Sequence, residues 1–213
     1  MILQGDCRVV MRDLEPGSVD AVITDPPYGI DFQSRRRTSG KLAKVANDAR
    51  PYVWWLPDAF EVLKDGGALL CFCRWDTQEA FRQAIEWAGF TVRSHVIWDR
   101  DCRGMGDVRT TFAPLHDVIW FASKGRFTFP NGRPVSVIKS RRVACQAQVH
   151  PNEKPVALME RLMEAVTAPG ETVLDPFAGS GSTLVAARNL GRKSIGIELM
   201  PEYADLAVRR LAA

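Results

Sequence analysis

Val173-Leu174-Asp175-Pro176-Phe177-Ala178-Gly179-Ser180-Gly181-Ser182-Thr183 reads as a short apolar strand, a tight turn and the opening of a helix. Gly179 and Gly181 remove side chains where a ligand would touch the main chain. The amides that begin the following helix can then receive an anionic group such as a carboxylate. Glu198 ends the next apolar run, about twenty residues further on, where an acid can accept both hydroxyls of a ribose. No Gly-Lys-Ser/Thr follows, so the turn is not a phosphate-binding P-loop, and the third glycine of a dinucleotide fingerprint is missing.

Outward from this unit, short apolar runs alternate with helical patterns. Val19–Thr24 predicts a strand that runs into Asp25-Pro26-Pro27-Tyr28. Residues 57–64 predict a helix ended by Asp65-Gly66-Gly67, and residues 68–73 a buried strand. Residues 77–87 predict an amphipathic helix closed by Gly89, and residues 91–98 and 117–122 two strands joined by a glycine-rich loop. A helix over 155–166, a strand over 172–174, a helix over 182–190 stopped by Gly191, a strand over 194–197 and a helix over 201–211 complete the pattern. Such alternation implies an α/β, three-layer sandwich around a mainly parallel sheet. The two strands without a helix between them imply an antiparallel hairpin at one edge.

With 213 residues, 46% hydrophobic and 25% charged, the chain suits one well-buried domain and not a disordered tail. A net charge of +3 is too mild to imply a nucleic-acid partner by itself. No apolar run approaches the length of a membrane span, and Asp6 and Arg8 interrupt any signal-peptide pattern. The five cysteines, Cys7, Cys71, Cys73, Cys102 and Cys145, are scattered and form no metal-type CxxC pair. They read as core residues in a reducing cytoplasm, with no metal and no membrane.

Asp25-Pro26-Pro27-Tyr28 fits the gripping of an amino group attached to an aromatic ring. Such an amine is a poor nucleophile because its lone pair is delocalised into the ring. The Asp25 carboxylate can accept one N–H and the Pro26 carbonyl the other, which turns the lone pair toward an incoming electrophile. Pro26 and Pro27 stiffen the turn, and Tyr28 offers a flat face for a flipped base.

These residues resemble the S-adenosylmethionine-dependent amino-methyltransferases of DNA. With the Asp-Pro-Pro-Tyr turn first and the glycine turn last, the order resembles their β group, a circular permutation of the common methyltransferase sheet. Leu3-Gln4-Gly5-Asp6-Cys7 resembles the segment in which an acid meets the cofactor's adenine ring, a role that falls here on Asp6. His150-Pro151-Asn152-Glu153-Lys154-Pro155 resembles the HPxxKP segment beside the methionine end, and 98–125 resembles the hairpin region that ends in a His-Asp/Glu pair, here His116-Asp117. The resemblance implies a Rossmann-like, class I sheet of seven strands in one domain over 1–213. It implies S-adenosylmethionine as cofactor and S-adenosylhomocysteine as product. They would lie along Asp175 to Thr183 and against Asp6, Cys7, Asp25, Lys154, Pro155, Glu198 and Leu199.

Two stretches, 31–52 and 126–149, are long, irregular and basic. Arg35, Arg36, Arg37 and Lys41 follow the Asp25 turn, and Arg141 and Arg142 lie in the second stretch; all six are candidates for DNA phosphate contacts. Only about two dozen residues separate Gly125 from His150, less than the family's usual recognition region. The resemblance implies methylation of adenine N6 in DNA, in the setting of restriction and modification, with a homodimer as one way to enlarge a small footprint. Cytosine N4 is the alternative, because the same grip serves both amines. RNA or protein amides, and a non-catalytic nucleic-acid-binding module, are more distant readings.

Overall fold

Val19–Thr24 is a strand buried along nearly its whole length, as a strand covered on both faces must be. The structure is a computed structural model that describes residues 1–29, 48–102, 109–144, 146, 148, 150 and 153–212. Its strands are β1 (Ile2–Gln4), β2 (Val19–Thr24), β3 (Leu63–Cys73), β4 (Thr91–Asp99), β5 (His116–Ser123), β6 (Val137–Lys139), β7 (Thr172–Asp175) and β8 (Lys193–Glu198). The helices are α1 (Cys7–Val10), α2 (Leu56–Val62), α3 (Gln78–Trp87), α4 (Val156–Val166), α5 (Ser182–Asn189) and α6 (Pro201–Ala212).

One sheet holds the strands in the order β1-β8-β7-β2-β3-β5-β4-β6. Its pairings are parallel except where β5 meets β3 and β4, so β5 alone runs against the other strands. Helices α4, α5 and α6 pack together, while α2 meets the 3-10 turn at 11–13 and α3 packs across β4 and β5. Trp55, Phe72, Phe81 and Met11 are fully buried between these layers. The indole N–H of Trp55 donates to the Tyr52 carbonyl at 2.9 Å, so this large side chain is buried without an orphaned donor.

The α/β sandwich matches the sequence pattern, with differences at three places. The sheet has eight strands among the described residues, not seven, and the β4–β5 pair is not its edge. β5 inserts between β3 and β4, and β6 pairs with β4 from outside through Ile97, Trp98 and Asp99. β6 is three residues long, too short for any periodicity, and it is fastened by the Trp98 indole donating to the Ser140 carbonyl at 2.7 Å. Asp65-Gly66-Gly67 does not separate a helix from a strand. α2 passes directly into β3 at Leu63, and the glycines form an irregularity within the strand, where Val19 pairs with Leu63 but Ala21 with Ala68. The Gly66 N–H donates to the Lys124 carbonyl at 2.7 Å and so keeps this stretch in the sheet. Of the cysteines, Cys7, Cys71 and Cys73 are buried, Cys102 is exposed rather than in the core, and Cys145 lies outside the described residues.

The consequence for function is one of alignment. β1, β8, β7 and β2 are adjacent and parallel, so their carboxyl ends share one edge of the sheet. Along that edge they deliver, in order, Asp6, Glu198, Asp175 and Asp25. Ligands of open α/β sheets bind at such an edge.

Candidate active site

Thr24, the last residue of β2, is fully buried, and its hydroxyl donates to Asp175 Oδ1 at 2.7 Å. The Thr183 hydroxyl donates to Asp175 Oδ2 at 2.5 Å and the Phe177 N–H to Oδ1 at 3.1 Å. Asp175 therefore points inward and ties the glycine turn to β2. Burial raises its carboxyl to about 6, against the lowering effect of these donors.

The turn that follows is shaped by its glycines. Gly179 and Gly181 have φ of +52° and +84°, in the left-handed region that favours glycine. A Cβ on Gly179 would stand 3.4 Å from the His150 ring, and one on Gly181 only 2.9 Å from Ala207 Cβ. The Gly179 N–H donates to Glu198 Oε2 at 2.8 Å, and Met200 N–H donates to Oε1 at 2.8 Å. Burial raises the Glu198 carboxyl and the two amides oppose that rise. Gly181 precedes helix α5 as a cap residue that offers no side-chain hydrogen bond, and among the described residues the buried Ser182 hydroxyl has no hydrogen-bond partner.

Asp25 stands beside this turn. Tyr28 donates its hydroxyl to the Asp25 carboxylate, and the Lys154 ammonium donates to the other oxygen. Tyr28 is only 8% exposed, so its hydroxyl serves Asp25 rather than solvent. Burial, and then the carboxylates of Asp25 and Asp117, push that hydroxyl well above its ordinary pKa. The Gly29 N–H donates to Asp48 Oδ1 at 2.7 Å and the Tyr52 N–H to the Pro27 carbonyl at 3.1 Å, which fixes the far side of the turn.

Two contiguous cavities meet at Asp25, Pro27, His150, Phe177 and Gly179. One, of about 670 Å³, extends along Asp6, Cys7, Glu198 and Leu199; the other, of about 520 Å³, extends along Lys154, Ser180, Ser182 and Thr183. Asp6 accepts from the Arg8 amide at 3.0 Å and from its guanidinium at 2.8 Å, and that guanidinium holds the Asp6 carboxyl below its usual range. Burial raises the Cys7 thiol to about 12, which leaves it uncharged and without nucleophilic character. Tyr52 and Trp55 meet the Phe177 ring edge-on at 5.9 and 5.4 Å.

His150, Glu153 and Lys154, ahead of α4, line the cleft, His150 where the two cavities meet. His150 packs edge-on against Tyr203 of α6 at 4.4 Å. Glu153 pairs with Arg210 at 2.9 Å, and Arg210 also donates to the Ser180 carbonyl and hydroxyl at 3.0 and 2.8 Å. His150 and Glu153 are thus held against α6, Arg210 links Glu153 to the glycine turn, and Lys154 beside them meets Asp25. Pro155 caps α4.

The sequence-predicted residues of both turns, with Asp6, Cys7, Lys154, Glu198 and Leu199, converge on this cleft. Asp175 enters as a brace, and Pro26, Ala178 and Pro176 are buried within the turns. Arg141 is exposed and Arg142 partly so, after β6. Arg35, Arg36, Arg37 and Lys41 lie outside the described residues. Tyr52, Arg210 and Thr24 carry no local motif; they are found only once the fold brings them to the site. Among the described residues no group of three or more His, Cys, Asp or Glu could hold a metal ion, and no helix is long and apolar enough to cross a membrane.

Comparison with known proteins points the same way. A family model described as DNA methylase matches residues 19–142 and 134–209. YubD of Escherichia coli (strain K12), named a methylase, is 34% identical over 99% of this chain and 89% of its own length. The solved complex of M1.HpyAVI with SAM superposes with a TM-score of 0.74 at 26% identity, covering 99% of this chain and 98% of that one. The cytosine-N4-specific PvuII DNA methyltransferase shares the fold, with a TM-score of 0.78 at 19% identity over 98% of this chain and 85% of its own. The chain belongs to the N6/N4 family of DNA methylases.

Proposed function

We propose that this chain transfers a methyl group from S-adenosylmethionine to the N6 amino group of adenine in DNA. The observation that carries this reading is the position of Asp25, which borders both cavities at their junction. The cleft suits the cofactor chemically. Asp6 and Glu198 offer carboxylates to the nucleoside end. The unmatched Ser182 hydroxyl and the uncapped start of α5 offer donors to an amino-acid carboxylate. The bare Cα of Gly179 leaves room that a side chain would fill.

When bound, S-adenosylmethionine supplies a methyl group activated on a positively charged sulfur. Asp25 accepts one N–H of the target amine, the Pro26 carbonyl accepts the other, and the nitrogen lone pair faces the methyl group. The nitrogen would bond directly to the methyl carbon as the carbon–sulfur bond breaks, S-adenosylhomocysteine would leave as the neutral thioether, and the amine's surplus proton would leave through Asp25 to water. Cys71 and Cys73 take no part, because burial raises both thiols. Tyr28 aims the Asp25 carboxylate through its hydroxyl, but its ring is buried and lines neither cavity, so it does not present the flat face for a base that the sequence suggested. Lys154 and Pro155 border the methionine end, with Phe177 between the cavities.

Adenine is favoured over cytosine N4 by the Asp that opens the Asp-Pro-Pro-Tyr turn, since cytosine enzymes of this kind more often carry Ser there. We read 1–213 as one methyltransferase domain of permuted order, acting in the cytoplasm, with the basic stretches 31–52 and 126–149 gripping DNA phosphates, in the setting of restriction and modification and with a second copy extending the footprint. Asp25→Ala tests the chemistry: it should abolish transfer to DNA while S-adenosylhomocysteine still binds by calorimetry. Full activity in that variant would refute the mechanism.

A further inference from the structure

The Lys154 side chain is only 10% exposed, and its ammonium group meets the Asp25 carboxylate. The Tyr28 hydroxyl lies 3.4 Å from the same nitrogen, and the Phe72 and Tyr28 ring centroids lie 5.0 and 5.7 Å away. Little water screens a pair in such surroundings, so its charges act strongly on a third charge that enters.

Several other groups face Asp25. His150 does so from the same segment as Lys154, Asp175 from the end of β7, and the Cys71 and Cys73 thiols from β3; Asp117 of β5 faces Tyr28. Burial lowers His150 to about 4, so it is neutral at pH 7, and the thiols and Tyr28 are neutral as well. Of these neighbours only Lys154 is cationic.

We infer that Lys154 is a positioning residue that offsets the charge of Asp25, so that the carboxylate serves the target amine instead of pairing with the sulfonium of the methyl donor. This rests on the cofactor reading above. A lone carboxylate where the cavities meet would hold the charged donor tightly in the ground state, and binding of that kind does not accelerate the chemical step. With Lys154 in place the pair is neutral overall. A carboxylate has about four acceptor sites, so after Tyr28 and Lys154 have each donated one bond it can still accept the amine N–H.

S-adenosylmethionine carries a positive sulfur and S-adenosylhomocysteine a neutral one, so the ratio of their affinities reads the charge at this point. Calorimetry on wild type, Lys154→Met and Lys154→Arg measures it. In Lys154→Met the preference for S-adenosylmethionine over S-adenosylhomocysteine should rise by about tenfold. The kcat should fall by a similar factor without a rise in KM for S-adenosylmethionine, and Lys154→Arg should restore both. An unchanged ratio, or an equal loss of both ligands, would overturn the inference, because Lys154 would then only shape the cavity.

Should the Met variant not fold, Asp25→Asn leaves Lys154 unpaired beside the sulfonium. The preference should then fall, and an unchanged ratio again overturns the inference. Wild-type protein that binds both ligands but methylates no DNA would overturn the proposed substrate and leave the ratio test intact. Wild-type protein that binds neither overturns both.

Discussion

Thr24 and Asp175 are 151 residues apart in sequence, yet the hydroxyl of one donates to the carboxylate of the other at 2.7 Å. This bond joins the strand that delivers Asp25 to the strand that delivers Gly179. Both partners are buried, so removal of the donor leaves a carboxylate oxygen short of a partner that water cannot replace. Thr24→Val should cost about 1–3 kcal/mol of stability in urea denaturation. It should also weaken S-adenosylhomocysteine binding, and Thr24→Ser should recover most of both.

Two buried groups pull the pH dependence of stability in opposite directions. His150 is lowered from 6.5 to about 4, so below pH 6.5 the unfolded chain binds a proton that the native one refuses. Stability is therefore lost as pH falls from about 6.5 to about 4. Asp175 is raised from 3.8 to about 6, so in that window the native chain holds the extra proton and stability falls as pH rises. His150→Phe keeps an aromatic ring against Tyr203 and removes the first effect. The stability of wild type relative to this variant should decline steadily from pH 6.5 to pH 4. A constant difference would show that His150 does not titrate as its burial requires.

The glycines of the turn should not tolerate alanine equally. At Gly181 a Cβ would lie 2.9 Å from Ala207 Cβ and 3.3 Å from its Cα, both on helix α6, whose backbone cannot yield cheaply. At Gly179 the nearest atoms belong to the His150 ring, at 3.4 Å, which is ordinary contact. Left-handed backbone costs each variant about 1–2 kcal/mol. Gly181→Ala should thus melt at a lower temperature than Gly179→Ala, whose main loss should be in cofactor affinity. Thermal melts and calorimetry separate the two.

Much of this arrangement was legible in the sequence, for a reason the structure makes plain. Asp25, Gly179 and Glu198 each sit at the end of an apolar run, and the ends of parallel strands meet at one edge. Local pattern therefore predicted a long-range site. β6 escaped because three residues carry no period, and the bonds that flank it come from β4, far away in sequence: the Ile97 N–H donates to the Ser136 carbonyl and the Trp98 indole to the Ser140 carbonyl. Arg210 escaped because an arginine in the last turn of an amphipathic helix reads as a solvated charge. Only packing shows that it links Glu153 to Ser180. Asp175 looked like a cofactor contact, and its inward turn depends on Thr24, which no motif marks.

The basic residues after β6 give a prediction about affinity without sequence choice. If Arg141 and Arg142 neutralise phosphates, each change to alanine should weaken DNA binding uniformly across sequences. It should also reduce the slope of log affinity against log salt by about one. Fluorescence anisotropy over a salt series measures this, and an unaltered slope would remove these residues from the DNA-binding surface.

The most direct test is to incubate unmethylated DNA with methyl-labelled S-adenosylmethionine and the wild-type protein, digest it to nucleosides and identify the labelled species. The predicted result is label in N6-methyl-2′-deoxyadenosine alone, absent when Asp25→Ala replaces wild type. Label in N4-methylcytosine nucleoside would contradict the choice of base, and an unlabelled DNA beside labelled RNA or protein would contradict the substrate itself.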